Sequence, residues 1–489
     1  MWVTLLNLIQ VAGLVALTGF GLHYFWLLSV WLRSTGRSPQ PLRPFDQLPV
    51  VTVQLPVFNE RYVIGRLLDA VARLDYPKDQ LEIQVLDDST DDTTELVAQR
   101  VAALRREGWL ACHVRRAHRQ GFKAGALAEG LATARGEFVA LFDADFVPPP
   151  EFLRQTIHYF TDPVVGMVQT RWGYLNRDES LLTRAQAIMI DGHFLIEQVS
   201  RSQAGVFFNF NGSAGIWRAR TILDSGNWQS DTLSEDMDLS YRAQLKGWRF
   251  VYAPDVVVPG ELPADMSSLK AQHRRWAQGS VQTALKLLPE ILRSRQPLRV
   301  KMEACFHFGS WLTYPLCILA AVLVLPQLMT SRSLLNIRGL HMWGGLLSTC
   351  VLATTVVFHA AAQRRAGTLR WRFPLDVSIL MGVSVGLALN NSRAILDALR
   401  GSPGSFQRTP KCSGRYADAR RHGYRTAVSA KWWMTELALG VYLCVALGYA
   451  ASQAFYSVLP FLLPLSAGFL YSGLSAFEPA GDGSSITDA

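Results

Sequence analysis

The sequence predicts a mixed α/β domain, a mostly parallel sheet with helices on both faces, inserted between transmembrane α-helices. Two observations carry this reading. Apolar residues gather at the N-terminus and after residue 303, leaving a mixed, charged middle from about 45 to 300, which is the texture of a water-facing domain set between membrane segments. Within that middle, short apolar runs alternate with amphipathic helical stretches, the order that builds a parallel sheet with helical crossovers.

Taken in order, residues 1–34 are expected to form a membrane helix. The stretch 2–32 is apolar apart from His23 and a few hydroxyl or amide side chains, with Arg33, Arg37 and Arg43 after it; it lacks the basic leader and small-residue cleavage site of a secretory signal, and its flanking charge places the N-terminus outside. Buried strands are expected at 50–57, 81–86, 111–115 and 137–142, with helices at 63–74, 93–107 and 124–134 between them. The net charge of +9 concentrates in short segments beside apolar runs and reads as membrane topology, so no nucleic-acid partner is expected. Six cysteines without close pairing indicate neither a zinc site nor a disulfide framework.

In open sheets of this kind ligands bind at the carboxyl ends of strands, and there the polar residues fall: Asn59 and Glu60 after the first strand, Asp87 and Asp88 after the second, Asp143 and Asp145 after a later one. Clustered acids repel unless a cation or polar ligand shares their site. The i, i+2 spacing of Asp143 and Asp145 turns both carboxylates the same way from an extended segment, as one hard divalent ion requires, although an isolated D-x-D is also an ordinary solvated turn. Further on, Ser234-Glu235-Asp236 precedes an amphipathic run and reads as a helix N-terminus, which would hold Asp236 on the first turn; alone, it also fits a surface helix cap. Glycine-rich dinucleotide and P-loop motifs, the G-x-S-x-G elbow and H-E-x-x-H are all missing from the sequence, so those cofactor and hydrolase readings have no support.

The order Asp87-Asp88, Asp143-Ala144-Asp145, Ser234-Glu235-Asp236 and Gln272-His273-Arg274-Arg275-Trp276 resembles the processive family 2 glycosyltransferases of the cellulose synthase superfamily. Arg171-Trp172, Leu181-Leu182-Thr183-Arg184, the stretch from Asn211 to Arg218 and Glu261-Leu262-Pro263 look most like the cellulose synthase-like mannan and glucan synthases and their bacterial relatives. The resemblance implies a GT-A-type glycosyltransferase domain over residues 45–282. Asp87 and Asp88 would meet the donor nucleoside, Asp143 and Asp145 would hold Mg²⁺ or Mn²⁺, and Lys123, Asp143 and Arg275 would serve the donor diphosphate. Asn211, Gly212, Ser213, Glu235, Gln272 and Trp276 would line the acceptor site, with Asp236 as general base. One base without a carboxylate nucleophile implies single displacement with inversion. The expected donor is GDP-mannose or UDP-glucose, and the expected acceptor a growing polysaccharide with β-1,4 linkages, with accessory export subunits as further partners. Ser234 stands where the family more often has Thr, and Ser89 where Gly is usual.

Residues 283–303 are expected to form a basic amphipathic helix on the membrane surface, kinked at Pro289. The region 304–476 holds apolar runs at 304–328, 340–362, 374–396, 432–450 and 453–475. Basic clusters flank 374–396 on both sides, so this run is expected to be re-entrant or interfacial instead of crossing. Between those clusters, within 400–431, Phe406, Thr409 and Lys411 resemble the F-x-V-T-x-K gating loop of cellulose synthases, with Arg408 in place of Val; a basic loop on lipid headgroups is the plainer alternative. The tail 477–489 is expected to be disordered. The sequence thus reads as an integral multi-pass membrane enzyme, bacterial in kind, with a cytoplasmic catalytic domain. Two alternatives remain open here: a single-transfer lipid glycosyltransferase of the ceramide or diacylglycerol glucosyltransferase kind, and a non-catalytic membrane scaffold.

Overall fold

A computed structural model describes residues 2–34, 38–330, 338–404, 408–411, 414 and 430–475. After the N-terminal helix α1 (Trp2–Arg33) the chain enters the α/β unit. Its elements are β1 (Val51–Val57), α2 (Ile64–Val71), β2 (Leu81–Asp87), α3 (Thr93–Arg106), β3 (Leu110–Arg115), α4 (Phe122–Thr133), β4 (Phe138–Leu141), α5 (Phe152–Thr156), β5 (Val165–Tyr174), α6 (Leu181–Gly192), α7 (Gln198–Ala204), β6 (Gly215–Arg218), α8 (Ala219–Asp224), α9 (Glu235–Leu245) and β7 (Arg249–Gly260).

The strands form one seven-stranded sheet in the order β3-β2-β1-β4-β6-β5-β7. Only β6 runs against its neighbours β4 and β5; the other pairs are parallel. Both faces are covered. Val51, Val53, Leu55, Ile83 and Val85 pack with residues of α2, α3 and α5 on one side, and Leu86, Val139, Leu141 and Trp217 pack with residues of α4, α6 and α9 on the other. Strands buried on both faces tolerate polar side chains only in pairs: Thr52 Oγ1 donates to Glu82 Oε2 at 2.7 Å and Gln54 Nε2 to Gln84 Oε1 at 3.0 Å.

The chain continues through α10 (Met266–Arg293), α11 (Leu298–Gly309), α12 (Thr313–Thr330), α13 (Arg338–Ala366), α14 (Phe373–Gly386) and α15 (Ala388–Leu399) to helices Ala430–Ser452 and Leu459–Leu474. The basic amphipathic run 283–303 is not a separate helix: its first part is the end of α10, which continues through Pro289 to Arg293, and its last residues open α11 at Leu298. Likewise the apolar stretch starts before residue 304, at Leu298, and the last helix starts at Leu459 after a turn instead of at 453.

Among the described residues four helical stretches are long and apolar enough to cross a membrane, Val11–Arg33, Leu298–Met329, Trp432–Ser452 and Tyr456–Leu474, and a fifth would be the pair α14 and α15, bent by 40° at Leu387. Helix α10 fastens the two halves of the molecule together. Lys270 Nζ meets Glu436 Oε2 at 2.7 Å, Arg274 pairs with Asp397, and Asn390 Nδ2 donates to the Lys270 carbonyl at 2.9 Å. The α/β unit and the apolar helices are thereby one packed body on this side.

Candidate active site

The carboxyl ends of β1, β2 and β4 open onto a cleft whose far wall is the start of α9 and one face of α10. The strand-end loops are tied to one another. Asn59, in the left-handed region at φ 55° that asparagine tolerates, donates its backbone N–H to Ser89 Oγ at 2.9 Å, and its Oδ1 accepts from Thr90 N at 2.8 Å. After β4, Asp143 N donates to Ser213 Oγ at 2.9 Å. Gln169 on β5 clamps the loop before β6: its Oε1 accepts from Asn211 N at 2.8 Å and its Nε2 donates to the Ser213 and Ala214 carbonyls at 3.2 and 3.0 Å.

That loop places Gly212 against the acids. Its φ is +82°, and a Cβ there would stand 3.0 Å from Asp236 Oδ2 and 3.5 Å from Lys123 Nζ. Lys123, from α4, brings a cation to the cluster: its Nζ lies 2.5 Å from Asp143 Oδ1, 2.9 Å from the Gly212 carbonyl and 3.8 Å from Glu235 Oε1. Burial lowers its pKa, but Asp143, Glu235 and Asp236 outweigh that and raise it overall.

Asp236 is pushed up to about 7, first by burial and then by the neighbouring Glu235 carboxylate, with Lys123 opposing. Burial likewise raises Glu235, against the pull of Lys123. Helix α9 begins at Glu235 as expected, but Ser234 makes no capping hydrogen bond. Instead α10 approaches it so closely that a Cβ on Gly279 would fall 2.2 Å from Ser234 Oγ.

On α10 the residues Gln272, Arg275 and Trp276 line the cleft, as their i, i+3, i+4 spacing on one helical face requires. His273 is buried against Trp276 and Trp311, with ring centroids 5.1 and 6.2 Å away, and Arg274 turns to Asp397. Burial lowers the Arg275 pKa while Glu235, Asp143, Asp236 and Asp145 counter it, which puts this guanidinium among the acids. Across the mouth, Arg408 forks onto Glu60 with bonds of 3.0 and 2.9 Å, and Lys411 Nζ meets Asp145 Oδ2 at 2.9 Å and the Glu261 carbonyl. Thr409 lines the cleft beside them; Phe406 lies outside the described residues, as does the tail from 477.

The family resemblance implies a divalent cation on Asp143 and Asp145, and the donor set suits one. Each carboxylate already draws an ammonium group to the cleft wall, Lys123 on Asp143 and Lys411 on Asp145. Among the described residues no cluster of three or more His, Cys, Asp or Glu is placed to hold a metal by itself. Two carboxylates with diphosphate oxygens and water filling the other positions is a set that Mg²⁺ or Mn²⁺ accepts.

Two expected site residues stand elsewhere. Asp88 lines the cleft, with Arg116 Nε donating to its Oδ1 at 2.9 Å, but Asp87 is buried behind it, 2.8 Å from His113 Nε2 and accepting from Ser89 N at 2.8 Å. Successive residues at a strand end point to opposite faces, so only one of the pair can face the ligand. Ser213 is also fully buried and spends its hydroxyl on the Asp143 backbone, so it shapes the loop instead of lining the cleft. Sequence reasoning missed Gln169, Arg119 and His193. Arg119 stacks on Phe58 with its guanidinium carbon 3.3 Å from the ring centroid, and both line the cleft. None of the three has a local motif: Gln169 meets Asn211, Arg119 meets Phe58 and His193 meets Asn211 between separate elements of the chain.

A doubly covered sheet with one reversed strand, whose acidic strand ends face a buried base and two cation-bearing helices, defines a GT-A-like glycosyltransferase domain. Residues 49–279 match the model of the family described as "Glycosyltransferase like family 2", and this part of the chain is a family 2 glycosyltransferase domain. Among curated proteins, the chain is 44% identical over 266 residues to glucomannan 4-beta-mannosyltransferase 1 of Oryza sativa subsp. japonica, covering 53% of this chain and 51% of that one. It is 44% identical over 259 residues to glucomannan 4-beta-mannosyltransferase 2 of Arabidopsis thaliana, covering 51% and 48%. The chain spans about half the length of the curated relatives it matches. Among solved structures, the mannosyltransferase PcManGT from Pyrobaculum calidifontis, in complex with GDP-Man and Mn²⁺, superposes with a TM-score of 0.56 at 24% identity, over 80% of this chain and 99% of that one. That likeness establishes the shared fold.

Proposed function

We propose that the protein is a membrane-embedded inverting hexosyltransferase that builds a β-linked mannan or glucomannan from a nucleotide sugar, GDP-mannose first and UDP-glucose second, and passes the polymer through its own helices. One observation carries this reading: Asp236, with a pKa near neutrality, shares a single cleft with Asp143, Asp145, Lys123, Arg275 and Trp276. The names of the glucomannan mannosyltransferases that the chain resembles support the sugar and the linkage. The Mn²⁺ and GDP-Man bound in PcManGT accord with the donor and metal.

Asp236 takes the proton of an acceptor hydroxyl as that oxygen attacks the anomeric carbon. A general base is most effective when its pKa sits near the working pH. The bond from the anomeric carbon to the diphosphate oxygen breaks, and Lys123 and Arg275 receive the charge that the leaving diphosphate gathers; Arg does so with two donors in a planar fork. A divalent cation held by Asp143 and Asp145, when bound, would add Lewis-acid neutralisation of the same oxygens. With no second carboxylate acting as nucleophile, the anomeric configuration inverts. Trp276 offers an apolar face to the terminal acceptor sugar, and Asn211 and Gln272 offer amides to its hydroxyls.

The apolar helical stretches are the membrane part of this reading, with the α/β domain on the cytoplasmic side. The bend between α14 and α15 fits a broken span as well as a re-entrant or interfacial placement of 374–396, and the basic clusters on both sides favour the latter. Arg408, Thr409 and Lys411 over the cleft mouth support a gating role for that loop. The test is incubation of the purified protein in nanodiscs with Mn²⁺ or Mg²⁺ and each labelled nucleotide sugar, beside Asp236→Asn. High-mass product cut by a β-1,4-mannanase and lost in the variant is the expected result. A single sugar on extracted lipid would replace this reading with the lipid glycosyltransferase.

A further inference from the structure

Asn211 lines the cleft, yet its side-chain Nδ2 is buried and makes no hydrogen bond. Its Oδ1, by contrast, is held twice: Asn209 Nδ2 donates to it at 3.2 Å, and His193 Nε2 stands 3.0 Å away. A buried amide nitrogen without an acceptor is costly unless a ligand oxygen completes it. The amide is therefore turned so that its donor end is left for the contents of the cleft.

His193 sits at the first residue of a π-helical turn, His193–Glu197, inserted between α6 and α7, and such turns are frequent at functional sites. Its other nitrogen, Nδ1, is 3.2 Å from Glu197 Oε2. Both neighbours are acceptor oxygens, so the ring holds the two together only with an N–H on each nitrogen, Nε2 donating to Asn211 Oδ1 and Nδ1 to the Glu197 carboxylate that fixes its orientation. Glu197 is itself held. Arg201 NH1 is 3.0 Å from Glu197 Oε2, Arg201 Nε is 2.7 Å from Glu303 Oε1 on α11, and His23 of α1 is 2.7 Å from Glu303 Oε2. Burial raises the Glu197 pKa, but Arg201 and His193 more than reverse it and hold this carboxyl well below the usual range.

We infer that His193 is a positioning residue for glycosyl transfer: it holds Asn211 Oδ1 so that the Asn211 amide N–H groups are presented to a hydroxyl of the acceptor sugar, and the chain Glu197, Arg201, Glu303, His23 anchors it to the apolar helices α1 and α11. This rests on the acceptor-site reading of Asn211 proposed above. It also assigns the apolar helices a part in acceptor binding that the motifs do not reveal.

The experiment measures transfer to a soluble β-1,4-mannooligosaccharide by the full chain in nanodiscs, with KM for acceptor and for donor determined separately and thermal unfolding recorded for each variant. His193→Ala and Asn211→Ala are expected to raise acceptor KM roughly tenfold, the scale of one lost oriented hydrogen bond, with donor KM unchanged. His193→Gln, whose amide can donate to the same oxygen, should restore acceptor KM to within about threefold of the wild type. The double variant should be no worse than Asn211→Ala alone. A normal acceptor KM in His193→Ala with a raised one in Asn211→Ala overturns the positioning inference. A normal acceptor KM in Asn211→Ala instead overturns the acceptor reading beneath it. Should His193→Ala not accumulate as folded protein, His193→Leu, which keeps volume without a donor, takes its place; if both fail to fold while His193→Gln folds, the bond serves stability and the inference falls.

Discussion

Replacing Asp236 with Asn tests the site through two independent readouts. Asp236 is raised from an ordinary 3.8 to about 7 by burial and by Glu235. At about 1.4 kcal/mol per pH unit of that gap, keeping this carboxylate ionised in the folded protein costs on the order of 4 kcal/mol, part of it shared with Glu235. Because the folded pKa is the higher one, the wild type keeps its full stability at this position below about pH 4 and loses it progressively as pH rises to about 7, with no further loss above. Asn cannot ionise, and its Oδ1 can still accept the Met237 N–H that Asp236 Oδ1 now receives at 2.8 Å. Thermal unfolding with a chelator present should therefore show Asp236→Asn more stable than the wild type by on the order of 10 °C at pH 8, about a third of that at pH 5, and nothing at pH 4. Transfer should fall by roughly a hundredfold to ten-thousandfold, the usual worth of a general base. An unfolding gap that does not change between pH 5 and pH 8 would refute the raised pKa, and a variant retaining a tenth of the transfer rate would refute the assignment of the base.

Three other outcomes follow from the same cluster. Lys123→Ala removes a buried cation facing Asp143, Glu235 and Asp236; a loss of about 3–5 kcal/mol of stability at pH 8, smaller at pH 5 where Asp236 is protonated, should appear in unfolding scans, together with weakened nucleoside diphosphate binding by calorimetry. Gly212→Ala meets both a positive φ and Asp236 Oδ2, so it should lose about 1–2 kcal/mol from backbone strain and lower kcat more than donor affinity. Chelation should abolish transfer, and Asp145→Ala should raise the Mn²⁺ concentration needed for half-maximal rate by roughly tenfold or more, since one of two anionic ligands is lost; an unchanged Mn²⁺ titration would move the metal away from this pair.

Much of the architecture is legible in local sequence because strands and helices of the α/β unit each carry their own period. The strand at Val51–Val57, the helix at Thr93–Arg106 and the carboxylates of Asp143 and Asp145 past β4 all stand within a residue or two of where apolar runs and turn residues put them. Helix α9 starting at Glu235 was readable from the acids ahead of its amphipathic run, whereas Gln272, Arg275 and Trp276 were legible only through the family resemblance. Strand order was not, and neither was the reversal of β6: both depend on which apolar faces meet, and periodicity is silent on that.

Side-chain commitments inside the site needed the tertiary structure. That Asp88 and not Asp87 faces the cleft follows from the phase of β2 at its last residue, where His113 from the next strand captures Asp87. That Ser213 holds Asp143, that Gln169 clamps the loop of Asn211 and Gly212, and that Lys411 reaches Asp145 are contacts between residues dozens to hundreds of positions apart. The pKa of Asp236 is of the same kind. Sequence supplies two adjacent acids at a helix start, which in water would titrate low; only the closure of α4, α9 and α10 around them removes the solvent, and desolvation is what turns Asp236 into a base near neutrality.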